Sequence, residues 1–195
     1  MRILVVSAAV AAVMPFPATA QAFGVRMGDP VSQYSGRMSG ADSPFHFRIT
    51  VPTPNNEFES YVAVATPQTG ICKVSGLGKN HDGDDFGTAT MSSFRSLGSA
   101  LTTRYGKPEA FDFLDSDAVW KKPDEWNWAV FKKERQIVSY WLAKSAETNL
   151  PGGLEAVTLE VESLRQNNAY IVLTYEFSNF DRCLAVMDSV NARGL

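Results

Sequence analysis

Cysteine and histidine are scarce. Two of each in 195 residues leave too few ligands at the right spacing for a zinc centre, and too few crosslinks for a disulfide-dense miniprotein. No G-x-S-x-G elbow marks a hydrolase nucleophile. Neither sign of charge dominates: 18 Lys and Arg stand against 21 Asp and Glu, a formal net charge of −3. That balance gives nucleic acid no bulk attraction. Long hydrophobic runs are missing beyond residue 14, so no later segment reads as a membrane-spanning helix. At 45% hydrophobic and 20% charged residues, with 14 Gly and 10 Pro, a disordered tail and a collagen-like rod are excluded as well. A globular chain is left.

The first residues have the build of a secretory leader. Arg2 supplies the positive start, residues 3–14 are apolar, and Pro15 and Pro17 break the run. Small residues follow in two overlapping A-x-A sites, Ala18-Thr19-Ala20 and Ala20-Gln21-Ala22. The expectation is removal of residues 1–22 and a mature chain of residues 23–195 in the periplasm or secreted medium. No Cys follows the cleavage region to carry a lipid, and no stable membrane insertion is expected.

Hydrophobic spacing places the elements. Asp29 and Pro30 can open a short helix. Phe45, Phe47, Ile49 and Val51 alternate with polar residues as a half-buried strand, and residues 58–65 and 71–76 read as two more. On the last of these, Cys72 and Val74 are expected on one face. Met91, Phe94, Leu97, Leu101 and Tyr105 form a helical stripe that stops at Gly106-Lys107-Pro108. Residues 111–120 give no clear pattern. Residues 126–131 and 136–143 read as a hairpin about the charged turn 132–134. Residues 157–161 and 171–177 form another; centring its turn on Asn167 sets Val161 against Leu173. A last amphipathic helix carries Cys183, Val186, Met187 and Val190 on one stripe. The fold class is α+β: an antiparallel sheet of about seven strands in two helix–meander halves, residues 23–87 and 88–195, with the helices on one face.

Both cysteines fall in the exported part. In an oxidising compartment a Cys72–Cys183 disulfide is the first reading, pinning the last helix onto the first meander.

Candidates for chemistry are few. His46 sits on the polar side of its strand, and His81 lies in Asn80-His81-Asp82-Gly83-Asp84-Asp85. That loop fails as an EF-hand, because Gly78 and Ala89 stand where carboxylates belong; Asp82, Asp84 and Asp85 leave a looser calcium site to consider. Glu160 and Glu162 share a strand face with Glu176 across the hairpin, and Asp112, Asp115 and Asp117 cluster in a loop. Paired carboxyls in a cleft are the tools of glycoside hydrolysis. Four tryptophans are many for one domain: Trp126 and Trp128 are expected on one strand face, and with Tyr140 they are the binding candidates, since Trp and Tyr carry interface energy beyond their number.

Phe23-Gly24-Val25-Arg26-Met27-Gly28-Asp29-Pro30 resembles the Gly-then-helix start of β-lactamase-inhibitor-like modules, and Tyr105-Gly106-Lys107-Pro108 resembles the way their helices end. The small lipoproteins of outer-membrane assembly share that topology of helix plus antiparallel meander, but this chain lacks their lipidated Cys. The whole is also similar to a family of small exported bacterial proteins without an assigned activity. The resemblance implies a fold and carries over no functional residue. The expected function is an exported binding module without catalysis or cofactor, directed at a protein as an inhibitor or envelope adaptor. The alternatives are a carboxylate-dependent hydrolase of cell-wall or exported polymers, and a carrier of a small ligand or metal ion.

Overall fold

The computed structural model describes residues 20–38 and 44–192. The apolar leader stretch and Ala18-Thr19 lie outside the described residues. Strands β1 (Gln21–Ala22) and β2 (Val25–Arg26) make a hairpin of their own. A 3-10 turn at Val31–Tyr34 leads to β3 (Arg37–Met38), β4 (His46–Ile49), β5 (Phe58–Thr66), β6 (Gly70–Gly78) and the short β7 (His81–Asp82). Helix α1 (Thr88–Tyr105) follows, then β8 (Glu109–Leu114), a 3-10 turn at Pro123–Glu125 and α2 (Trp126–Phe131). The chain ends with β9 (Arg135–Leu142), β10 (Leu154–Arg165), β11 (Asn168–Phe177) and α3 (Phe180–Ala192).

The architecture is α+β with antiparallel pairing throughout. Eight strands run in the order β3-β4-β5-β6-β11-β10-β9-β8, and β7 adds to β11. Two meanders, β3–β6 and β8–β11, therefore meet along β6 and β11 in one continuous sheet. Segment 111–120, unreadable from its pattern, supplies residues 111–114 of the edge strand β8.

The main core lies on one sheet face. Ala63, Val74, Leu159, Leu173 and Tyr175 pack there under Leu101 and Tyr105 of α1, with Trp126 and Val130 of α2 beside them. Helix α1 starts where the backbone turns left-handed at Gly87. The Asp84 carboxylate receives the N–H groups of Ala89 and Thr90 and the Thr90 hydroxyl, which satisfies donors the helix end would otherwise leave bare. At the far end Gly106 takes φ +88, and a Cβ there would fall 2.3 Å from the Glu147 carbonyl oxygen.

Four expectations are corrected. Residues 126–131 are the helix α2, not a strand, and 132–134 is its C-terminal cap: Lys133 takes φ +61 and Glu134 N–H bonds the Ala129 carbonyl. A short apolar run cannot choose between helix and strand by period alone. The overlooked signal is the turn before it, where Pro123 opens the segment and Asp124 and Glu125 follow.

The second correction is register. Val161 pairs with Ile171 and Leu159 with Leu173, because Arg165 pairs with Asn168 across a two-residue turn. A slip of two residues keeps every side chain on its own face, so the hydrophobic pattern could not expose it.

The third and fourth share a cause. At Cys72 the β5–β6 register jumps from Val64↔Lys73 to Ala65↔Ile71, a bulge that leaves Cys72 over as the extra residue. Ile71 and Val74 both enter the main core, while Cys72 joins Val64 and Cys183 in a second cluster. Cys72 thus faces away from Val74. Helix α3, tied by the Cys72–Cys183 disulfide, covers a corner of the opposite sheet face, so the helices occupy both faces.

Candidate binding surface

Beyond that corner, the second sheet face carries no helix among the described residues. The pairings place Glu109, Phe111 and Phe113 of β8 there with Gln136, Val138 and Tyr140 of β9, Glu160 of β10, and Tyr170 and Val172 of β11. β8 ends the strand order. Its six residues contain neither Pro nor Lys, and its two charged residues, Glu109 and Asp112, are both acidic. Phe111 and Phe113 are 46% and 45% exposed, and the Phe111 ring meets the edge of Tyr140 at 6.2 Å.

A cleft of about 340 Å³ opens between β9, the neighbour of β8, and β10. It exists because β9 and β10 part: the last pair is Val138↔Glu160, and Gln136 and Glu162 beyond it are no longer partners. Lys133 reaches across the gap to Glu162. Arg135 donates to Asp112 Oδ1 through Nε at 3.0 Å and a terminal nitrogen at 2.7 Å. The two cations of the cleft are thereby occupied. Glu160 is left half-buried without an ion pair of its own among the described residues. Burial, then the neighbouring Glu162, pushes its carboxyl above the usual range, against the pull of Lys133 and Lys73. The same burial and the same two carboxylates raise Tyr170.

A proton is thus held more tightly by Glu160 in the folded state than in the unfolded one. Ionising it costs stability as pH rises from the unfolded carboxylate pKa through the folded one, and the cost is absent below both. Glu160→Gln is expected to raise the melting temperature at neutral pH, with the gain fading on acidification. Melts of the two proteins across a pH series check this; a gain that persists in acid would mean the effect is packing.

The remaining candidates are dispersed. Trp126 is buried against Gly87. Trp128, two positions along a helix, points elsewhere and stacks on Trp120 at 4.6 Å, so Trp126, Trp128 and Tyr140 do not form one surface. Glu176 pairs with Lys73 at 3.5 Å and lies opposite Ala156, away from Glu160. Asp112 belongs to β8 and not to a loop. His46 is half-buried in β4, and His81 pairs with Ala169. Asp84 is committed to α1. Its burial alone would raise its pKa, but the bonds from Thr90, Ala89 and Thr88 outweigh that and lower it. Asp82 accepts from the Asn168 amide. Among the described residues no group of three or more His, Cys, Asp or Glu is arranged to hold a metal ion, and no helix is long and apolar enough to cross a membrane.

A second groove of about 400 Å³ lies between α1 and the first hairpin, lined by Phe23, Leu97, Arg104 and Tyr175 among others. Burial, then the neighbouring Tyr105, drives the Tyr175 hydroxyl far above its ordinary value.

No protein-family model matches this chain, and no curated protein or solved structure matches it.

Proposed function

We propose that this is an exported, protein-directed binding module that receives an extended segment of its partner along the free edge of β8. The observation that carries the reading is the bare edge itself: six residues at the end of the sheet, with two half-exposed phenylalanines on the open face. Such an edge offers backbone hydrogen bonds for affinity and pockets at alternate side chains for specificity. Charge selects the partner. Glu109, Asp115 and Glu160 carry no ion pair among the described residues, whereas Lys133 and Arg135 are already paired. The incoming strand is accordingly apolar on one face and basic along its length. The leader-like start and the disulfide support a site of action in the periplasm or secreted medium.

A photoreactive phenylalanine analogue at position 111 or 113, in full-length protein exposed to periplasmic extract, tests this. The expected result is a discrete adduct to a segment rich in Lys or Arg, suppressed by Ala110→Pro, which removes an edge N–H. Adducts no different from those of a probe at exposed Val190 would overturn it.

The cleft also favours a second reading, hydrolysis of a cell-wall or exported polymer. Glu160 with a raised pKa beside Glu162 is the pairing of proton donor and carboxylate that such chemistry uses. Polysaccharide cleavage that Glu160→Gln abolishes would move the assignment there.

A further inference from the structure

We infer that leader removal cuts the Ala20–Gln21 bond, using Ala18-Thr19-Ala20, rather than the bond after Ala22. This rests on the exported reading above and goes beyond it. The small-residue rule admits either of the two overlapping A-x-A sites, and the expectation from sequence took the second, with cleavage after Ala22. The fold separates them.

Gln21 and Ala22 are strand β1, paired through Gln21↔Arg26 and Ala22↔Val25. Ala22 is 1% exposed and Val25 fully buried. The hairpin is a two-stranded sheet apart from the main one, so among the described residues no other strand pairs with β2 if β1 is lost. Its turn residues, Phe23 and Gly24, take φ +54 and +81, as a two-residue hairpin with the twist of its strands requires. A left-handed Phe is disfavoured unless the chain holds it from both sides.

What the turn secures is the Phe23 ring. It meets Phe58, Tyr61 and Tyr175 at 5.4, 4.8 and 5.3 Å, and the Phe23 carbonyl accepts from Thr53 N–H at 3.0 Å. Cleavage after Ala22 would delete β1 and make Phe23 a loose chain end carrying a charged ammonium beside the aromatic core. Cleavage after Ala20 keeps both strands. It does remove Ala20, itself 1% exposed and part of the main core, with one long hydrogen bond, Met27 N–H to the Ala20 carbonyl at 3.4 Å, but it leaves the turn and the Phe23 ring held from both sides. In the step itself water adds across the Ala20–Gln21 amide, leaving a carboxylate on Ala20 and an amine on Gln21; a leader peptidase provides the catalysis.

The test is the N-terminus of the full chain expressed with its own leader in a secreting bacterial host and recovered from the periplasm or medium. Sequencing and intact mass are expected to show a start at Gln21, with or without loss of ammonia by cyclisation of that residue. A start at Phe23 overturns the inference and leaves export standing; a chain retaining Met1 overturns both. Independently, oxidised chains beginning at Gln21 and at Phe23 should differ in melting temperature, the longer being higher by about 4 °C or more. Equal melting would show that β1 contributes nothing, and would also sink the proposal.

Discussion

Replacing Cys72 and Cys183 together by alanine is expected to lower the unfolding free energy by roughly 3–5 kcal/mol and to release α3 before the rest of the molecule opens. The bond joins residues 111 apart in sequence. A closed loop of that order restricts the unfolded chain by about 4.7 kcal/mol in the chain-entropy account, from which native strain and residual structure subtract. The second part follows from how little else holds the helix. Cys183 is the one buried residue of α3. Its cluster contains three buried residues, with Phe180 and Met187 packed partly against it. Val190, on the same sequence stripe, is exposed. Without the bond the helix keeps a small apolar contact, Lys73 over the Phe180 ring at 4.8 Å and, at its first turn, the Asn179 amide donating to the Thr69 and Ile71 carbonyls, while the main core beneath α1 is untouched. Urea titrations of the oxidised and alanine forms measure the first effect. Hydrogen exchange across residues 180–192 measures the second, through opening at a free energy below the global one. If those amides stay protected until global unfolding, packing holds α3 and the bond does not.

Much of this arrangement was readable because period and punctuation agreed. The stripe from Met91 to Tyr105 followed by Gly106 and Pro108 could only be a helix with a stop, and the alternation in residues 157–161 and 171–177 marked two strands of one hairpin. The disulfide was visible as two cysteines behind a leader-like start. What escaped was whatever depends on a single residue out of step. The bulge at Cys72 moves one sulfur from one face to the other and carries α3 with it. No periodic count can register an extra residue in one strand of a pair. The candidate site was half visible for a related reason. Tyr140 was found on a strand with bulky residues on both faces, and Glu160 and Glu162 on an alternating one, but the cleft that unites them arises where β9 and β10 stop pairing. β8 was invisible because Ala110-Phe111-Asp112-Phe113 mixes polar and aromatic residues on a strand exposed on both faces; burial, the source of the alternation signal, is missing there.

The cap of α1 links that edge strand to the core, and a substitution at Trp141 should show it. Trp141→Ala is expected to cost about 3–5 kcal/mol, a large share of the ~5–15 kcal/mol that holds a domain together. The side chain is fully buried on β9 opposite Val157, and its indole N–H donates to the Gly106 carbonyl at 2.8 Å. Gly106 is the residue at which α1 ends and the chain turns through Lys107 and Pro108 into β8. Trp141 therefore both fills the core and fixes the point from which the edge strand departs. Trp141→Phe separates the roles, since it keeps most of the ring volume and removes the donor, leaving the Gly106 carbonyl without it. The phenylalanine variant should retain most of the stability, losing on the order of 1–2 kcal/mol, yet show faster hydrogen exchange in residues 106–114 and weaker crosslinking from position 113. Equal exchange in that stretch would mean that pairing with β9 alone positions β8, and that the indole bond contributes stability without ordering the docking edge.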